Sequence, residues 1–234
     1  MARAPITTKP VSMAAANAAR VSIVSGVLFV LLLGSLHLLE PEFNPSWRFL
    51  SEYELGKFGW LMRLAFLALA TSLASAGLAI FSQARTVIGY IGIAGLGIAA
   101  VGIVIAAIFR IDPATTSREA ATFSGRMHVF GASLDYTPVA ALFVSLSLAR
   151  NIAWRQIRKW LYFTVGITWV ALAAFMATLP YNGKIGPGVL AGLFGRILLV
   201  SYLGWLVTVG IHTIRLTQFL VGTPAQRKNS LPSA

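Results

Sequence analysis

The chain of 234 residues contains no cysteine, so a disulfide framework, a zinc–thiolate centre and thiol catalysis are all excluded. Charge is scarce. Only 11% of the residues are Asp, Glu, Lys or Arg, where a soluble domain carries about a quarter. Acids are scarcer still, seven against 19 Lys and Arg, which leaves a formal charge of +12. Histidine occurs three times and never in an HxxxH or HExxH spacing, so the short helical zinc motifs are missing. The glycines of YNGKIGPGVLAGLFGR, Tyr181 to Arg196, follow no strand, which removes a nucleotide-binding fingerprint. What fills the chain instead is apolar: 57% of the residues are hydrophobic and the mean hydropathy is +0.76. These values exclude a soluble globular domain, a disordered chain and a coiled coil. In a soluble protein a charge of +12 would suggest nucleic acid; here it suits the loops of a membrane protein, and no nucleic-acid partner is expected.

A helix crossing the hydrocarbon core needs about 20 apolar residues. Six runs qualify: Val21 to Leu39, Gly59 to Phe81, Ile88 to Phe109, Met127 to Leu148, Leu161 to Leu179 and Ile197 to Ile214. The runs are continuously apolar, unlike the alternating strands of a barrel. The predicted fold is therefore all-α, a polytopic bundle of six transmembrane helices over residues 21–216, between tails at 1–20 and 217–234. The first run is of full spanning length and no small-x-small cleavage site follows Leu39, so it reads as a span and not as a signal peptide. Residues 1–20 hold Arg3, Lys9 and Arg20 and no acid. That composition is like a transit peptide, but a short disordered cytoplasmic tail is the preferred reading.

Basic residues set the orientation. Arg3, Lys9, Arg20, Arg85, Arg150, Arg155, Arg158, Lys159, Arg215, Arg227 and Lys228 fall on one side, with no acid among them. Arg48, Lys57, Arg110, Arg118, Arg126, Lys184 and Arg196 fall on the other, together with Glu40, Glu42, Glu52, Glu54, Asp112 and Glu119. Both termini are expected in the cytoplasm, in a cell membrane of bacterial inner-membrane type. Trp47 and Trp60 suit one interface, Trp154 and Trp160 the other.

Helices in lipid associate by close packing of small residues. Gly92, Gly95, Ala99, Gly102 and Ala106 form such a stripe on the third span, which reads as the central and most buried helix; Ala68, Ser72, Ser75 and Ala79 repeat the pattern on the second. Pro138 should kink the fourth span. No internal repeat is visible.

Ionisable groups at membrane depth are costly and usually functional. His37, Arg63, His128 and Asp135 qualify. His128 and Asp135 lie seven residues apart, about two turns or roughly 10 Å along one helical face. An isolated carboxylate near mid-bilayer is expensive, so Asp135 needs a partner, and Arg63 is the expected one. With Glu40, Ser51, Glu52, Tyr53 and Asp112 these groups are expected to face one outer-leaflet pocket. Within it His128, Asp135 and His37 are the catalytic candidates. Arg63, Arg126, Ser51, Glu52, Tyr53 and Asp112 are the ligand-binding candidates. Helix-end caps and scattered ion pairs are the plainer account of the same residues. His212 reads as an interfacial residue. His37, His128 and a carboxylate are chemically suited to zinc, and facing His37 and His128 to haem. With the zinc motifs absent and only three histidines, no metal and no cofactor is expected.

The segments LHLLEPEFNPSWRFLSEYELGKFGWLMRLAF, GIVIAAIFRIDP and GRMHVFGA resemble the bacterial membrane family catalogued as domain of unknown function 998. The likeness covers about residues 20–216. It rests on Ser51-Glu52-Tyr53 with Gly56 and Gly59, on Phe109 to Pro113 with Asp112, and on Arg126 with His128. It implies a six-helix membrane protein and no known activity. A weaker similarity, in a Ser-containing loop before a Gly and the second span, is to the eukaryotic Frag1/DRAM/Sfk1-type membrane proteins, and implies a tie to lipid and membrane homeostasis. The Pro-rich pattern that follows the Gly in those proteins is absent here.

Three functions fit these residues. A lipid headgroup or small amphiphile would meet Arg63 and Arg126 as an anion, with His37 and His128 handling a proton. A lipid-modifying enzyme would use His128 as general base and Asp135 as its partner. A proton-coupled transporter would switch the Arg63–Asp135 pair, although no inverted halves are visible. Membrane lipids are the expected partners, and a homo-oligomer is compatible with all three.

Overall fold

The computed structural model describes residues 11–117, 119–180 and 185–221. Within them the chain is helical, with no strand. Seven α-helices run in order: α1 (Met13–Leu39), α2 (Gly59–Ile80), α3 (Val87–Ile108), α4 (Phe123–Ser133), α5 (Thr137–Leu148), α6 (Arg158–Thr178) and α7 (Ala191–Val221). Short 3-10 helices cover Leu50–Leu55 and Ile152–Ile157. Six segments are long and apolar enough to cross a membrane, α4 and α5 together forming the fourth. The protein is a multi-pass helical bundle.

Local chemistry sets the helix starts. Ser12, Thr86 and Thr122 each turn a side-chain oxygen onto the amide three residues ahead, at 3.1, 3.2 and 2.9 Å. This satisfies an N–H that the first helical turn leaves unpaired. Through Ser12 the first helix begins at Met13, eight residues before the predicted span, so the latter part of the expected tail is helix. The sixth span likewise starts at Ala191 rather than Ile197. Arg3, Lys9, Arg118, Lys184, Arg227 and Lys228 lie outside the described residues.

The fourth span is broken rather than kinked. Its two halves stop and restart around Leu134–Tyr136, and Pro138 occupies the first turn of α5. Proline fits there because that N–H has no helical partner.

Successive helices pack on one another except α4 and α5, which both pack on α3, and α7 returns onto α1, closing the bundle. The small residues mark the tightest contacts. A methyl group at Gly102 or Gly131 would strike the other's carbonyl, and one at Gly92 would lie 2.9 Å from the Ala140 carbonyl. The stripe of α3 therefore faces α4 and α5. Between α1 and α2, Ser72 donates to the Ser22 carbonyl at 2.8 Å. The expectation that the third span is the most buried is corrected: 61% of the second span's apolar window is buried against 44% of the third's, because α2 packs against α1, α3 and α7.

Two further expectations change. Trp154 is fully buried and meets His212 in a tilted ring contact, centroids 4.7 Å apart, so it is core and not an interface anchor. His212 is buried too, with Nε2 2.9 Å from the Ala153 carbonyl. Trp60 and Trp160 are exposed, as anchors should be.

Candidate functional site

Three buried carboxylates knit the loops at the acidic end of the bundle. Glu52 accepts from Arg48 Nη1 at 2.8 Å, from the Ala114 amide at 3.0 Å and from the Phe49 amide at 3.1 Å. This ties the 3-10 helix Leu50–Leu55 to the loop after α3. Glu54 accepts from the Ile111 amide at 3.1 Å. Glu40 accepts from the Phe58 amide at 2.6 Å. Asp112, less buried, holds both the amide and the hydroxyl of Thr122, at 2.8 and 2.9 Å, and so fixes the start of α4. A side chain at Gly125 would collide with its carboxylate.

Glu54 has unusual electrostatics. Burial pushes its carboxyl up to about 7, against the opposing pull of the Ile111 amide and of the Arg63 and Arg110 charges. Its Oε1 is buried without a hydrogen-bond partner, and its Oε2 lies 3.5 Å from His128 Nδ1. Burial also raises the Tyr53 hydroxyl, with Arg196 acting in the opposite direction.

Beneath this knitted lid lies a cavity of about 770 Å³, within the roughly 300–1,000 Å³ range of small-molecule sites. It exists because α4 packs along α3 while α5 makes the contact with α6. The space left beside α4 is walled by Gly125, His128, Val129 and Ala132 of α4. Across from them stand Phe175 of α6 and Gly192, Gly195, Leu198 and Leu199 of α7. Phe66 and Leu69 of α2 and Ile103 of α3 complete an apolar body. Polar groups collect at its two ends. Ser51, Asp112, Thr116, Ser117 and Arg126 form the rim, and Asp135 with Tyr202 forms the floor.

Of the residues predicted for one pocket, Ser51, Asp112, Arg126, His128 and Asp135 do line this cavity. Arg126 is exposed and donates to the Ala121 carbonyl. His128 Nδ1 lies 2.8 Å from the Phe109 carbonyl, which requires a proton on Nδ1 and leaves Nε2 bare in the neutral ring. Asp135 sits in the break between α4 and α5. Its Oδ1 accepts from the Thr137 hydroxyl at 2.5 Å and the Thr137 amide at 3.2 Å, and its Oδ2 from the Tyr202 hydroxyl at 3.2 Å.

The remaining residues stand elsewhere. Arg63 is exposed on α2 and is not the partner of Asp135; the expected pair is corrected to Asp135–Tyr202. Glu52 and Glu40 serve the loops. His37 and Tyr53 form a second cluster around Arg196. Arg196 Nε donates to His37 Nε2 at 2.9 Å, and Nη1 to the carbonyls of Arg48, Gly192 and Pro45 at 2.7, 2.9 and 3.2 Å. The guanidinium also lies 5.8 Å from the Tyr53 ring centroid. His37 Nδ1 contacts the Leu33 carbonyl at 2.7 Å. Both ring nitrogens of His37 are thus engaged, which does not fit zinc or haem ligation there. Among the described residues no three His, Asp or Glu converge as a metal site would need.

Sequence reasoning missed Arg196, Tyr202 and Glu54 as structural participants. Arg196 at the head of an apolar run was a usable sign. Tyr202 carried none, being one aromatic among many in an apolar helix.

No curated protein and no solved structure matches the chain. A family model does, described as "Protein of unknown function (DUF998)", over residues 23–212. That stretch takes in the whole cavity wall from α2 to α7 together with its rim and floor, and the chain accordingly belongs to the DUF998 family of multi-pass membrane proteins.

Proposed function

We propose that this protein binds a small amphiphile or a lipid through the cavity beside α4, at the end of the bundle that faces away from the cytoplasm. The observation that carries the reading is the distribution of chemistry along the cavity. An apolar body suits methylene groups, and the polar groups at its two ends, Ser51, Asp112 and Arg126 at the rim and Asp135 with Tyr202 at the floor, each suit a polar head. The excess of Lys and Arg on the opposite loops supports that orientation in a cell membrane. An enzyme would need an acid to orient the base. Asp135, the acid expected to serve His128, is occupied by Thr137 and Tyr202, and Glu54, the acid that does stand beside His128, is 3.5 Å from an Nδ1 that the Phe109 carbonyl holds more closely, at 2.8 Å. A transporter switching an Arg63–Asp135 pair lacks that pair. Binding is therefore favoured over both alternatives.

The test is native mass spectrometry of protein released from nanodiscs of bacterial lipid, comparing the wild type with Ala132→Trp. Ala132 is a cavity wall residue that is also exposed, so an indole there fills space without entering the core. Bound amphiphile should fall by at least about tenfold in the variant. Equal occupancy in both proteins overturns the reading.

A further inference from the structure

We propose that the amphiphile accepted by this cavity is cationic: an aliphatic amine whose ammonium group meets Asp135 at the floor. The proposal rests on the binding reading above and adds the ligand's charge. Six of the seven acids lie on the loops, four of them knitting the lid; Asp135 alone lies within a span. It sits where the helix is interrupted, and its carboxylate borders the cavity.

Three donors point at it, the Thr137 amide and hydroxyl and the Tyr202 hydroxyl. Yet among the described residues it has no ion-pair partner, since Arg63, the cation nearest in expectation, is exposed elsewhere. A carboxylate can accept about four hydrogen bonds, and Oδ2 has received one, so an acceptor site remains. A carboxyl group in apolar surroundings is relieved either by a proton or by a counter-charge, and a cation seated against it favours the second. Among the described residues no Lys or Arg lies at this floor, the one cationic side chain that lines the cavity being Arg126 at the rim, so the ligand is the fitting source. An anionic head would be repelled there, and a neutral one would leave the charge uncompensated. Phe66 and Leu198 on the walls match the alkyl chain.

The experiment presents detergent-exchanged full-length protein with equimolar dodecylamine, dodecanol and dodecanoate near neutral pH, and counts bound species by native mass spectrometry. A charge-assisted contact adds about 1.5–3 kcal/mol, so the amine should bind roughly ten- to a hundredfold more tightly than the alcohol. The fatty acid should bind more weakly than either. In Asp135→Asn the amine preference should shrink below about twofold while dodecanol binding persists. Amine and alcohol binding equally to the wild type overturns the proposal without any variant, and leaves amphiphile binding standing. A preference that survives Asp135→Asn also overturns it. If none of the three binds, the binding reading itself falls, and this proposal with it.

Discussion

Tyr202, midway along α7, donates its hydroxyl hydrogen to Asp135 in the break between α4 and α5, across 3.2 Å. The bond joins the two walls of the cavity at the depth where no loop can join them. It also replaces the arginine that an intramembrane acid would be expected to recruit. Tyr202 is almost fully buried, so Tyr202→Phe removes one oxygen and leaves the packing intact. The loss of a hydrogen bond to a buried carboxylate should cost about 1–3 kcal/mol. Thermal unfolding in micelles checks this, and an unchanged midpoint would show that the bond does not contribute.

Glu54 gives the protein a pH dependence whose sign can be worked out. Its folded-state pKa, about 7, stands above the ordinary value of 4.5. The folded protein therefore holds this proton more tightly than the unfolded chain. The stabilisation is fully present below about 4.5 and is lost as pH rises through about 7. Between those limits the change is on the order of 3 kcal/mol. Denaturant titrations across this window should show stability rising on acidification, and Glu54→Gln should flatten that rise. Arg63→Ala should shift the transition to higher pH, because the Arg63 charge pulls the Glu54 carboxyl down. A Glu54→Gln profile that parallels the wild type would assign the pH dependence to other groups.

The six spans were legible because a bilayer sets one length for all of them, and continuous apolar runs of that length are rare otherwise. The rim residues Ser51, Asp112 and Arg126 were legible as polar groups on one side of the membrane. Opposite charge suggests an Arg63–Asp135 pair, but helical phase sets Arg63 on the outer side of α2. Trp60, Arg63, Leu64 and Leu67 all share the exposed side of α2, while Met62, Ala65, Phe66 and Leu69 are buried. The small residues of the same helix already marked the inner face. The break at Asp135 was hidden for another reason. Pro138 is compatible with a kinked helix and with a restarted one, and only the Asp135–Thr137 bonds choose the second. His37 and His128 share residue type and depth in the sequence, and the residue that claims His37, Arg196, is more than 150 positions away from it.

Helix contact in this bundle depends on glycine at the α3–α4 crossing. A methyl group at Gly102 would meet the Gly131 carbonyl, whereas one at Gly97, on the same helix, would meet nothing within 4 Å. Gly102→Ala should destabilise by about 1–3 kcal/mol through overpacking. Gly97→Ala should be neutral or stabilising by up to about 1 kcal/mol, because alanine restricts the unfolded helix backbone more than glycine does. Paired melting curves test the contrast. Equal effects at the two positions would mean that α3 and α4 do not approach so closely.

Arg196 should behave as a fastener for the α1–α2 connection and not as a ligand contact. Its Nη1 gathers the Pro45 and Arg48 carbonyls from that loop and the Gly192 carbonyl from α7, while Nε holds His37 on α1. Only the fixed fork of a guanidinium reaches all of these at once, so lysine is a poor substitute. Arg196→Lys and Arg196→Ala should both lower stability, by roughly 2–4 kcal/mol for alanine because three backbone carbonyls and His37 lose a charged donor. His37→Ala, which loses one of those contacts, should cost less. Hydrogen exchange distinguishes the fastener from a general loss of folding: amides at Ser46 and Arg48 should exchange faster in the Arg196 variants, and those within α3 should not. Uniform acceleration along the chain would remove the local role and leave Arg196 as one more contributor to the core.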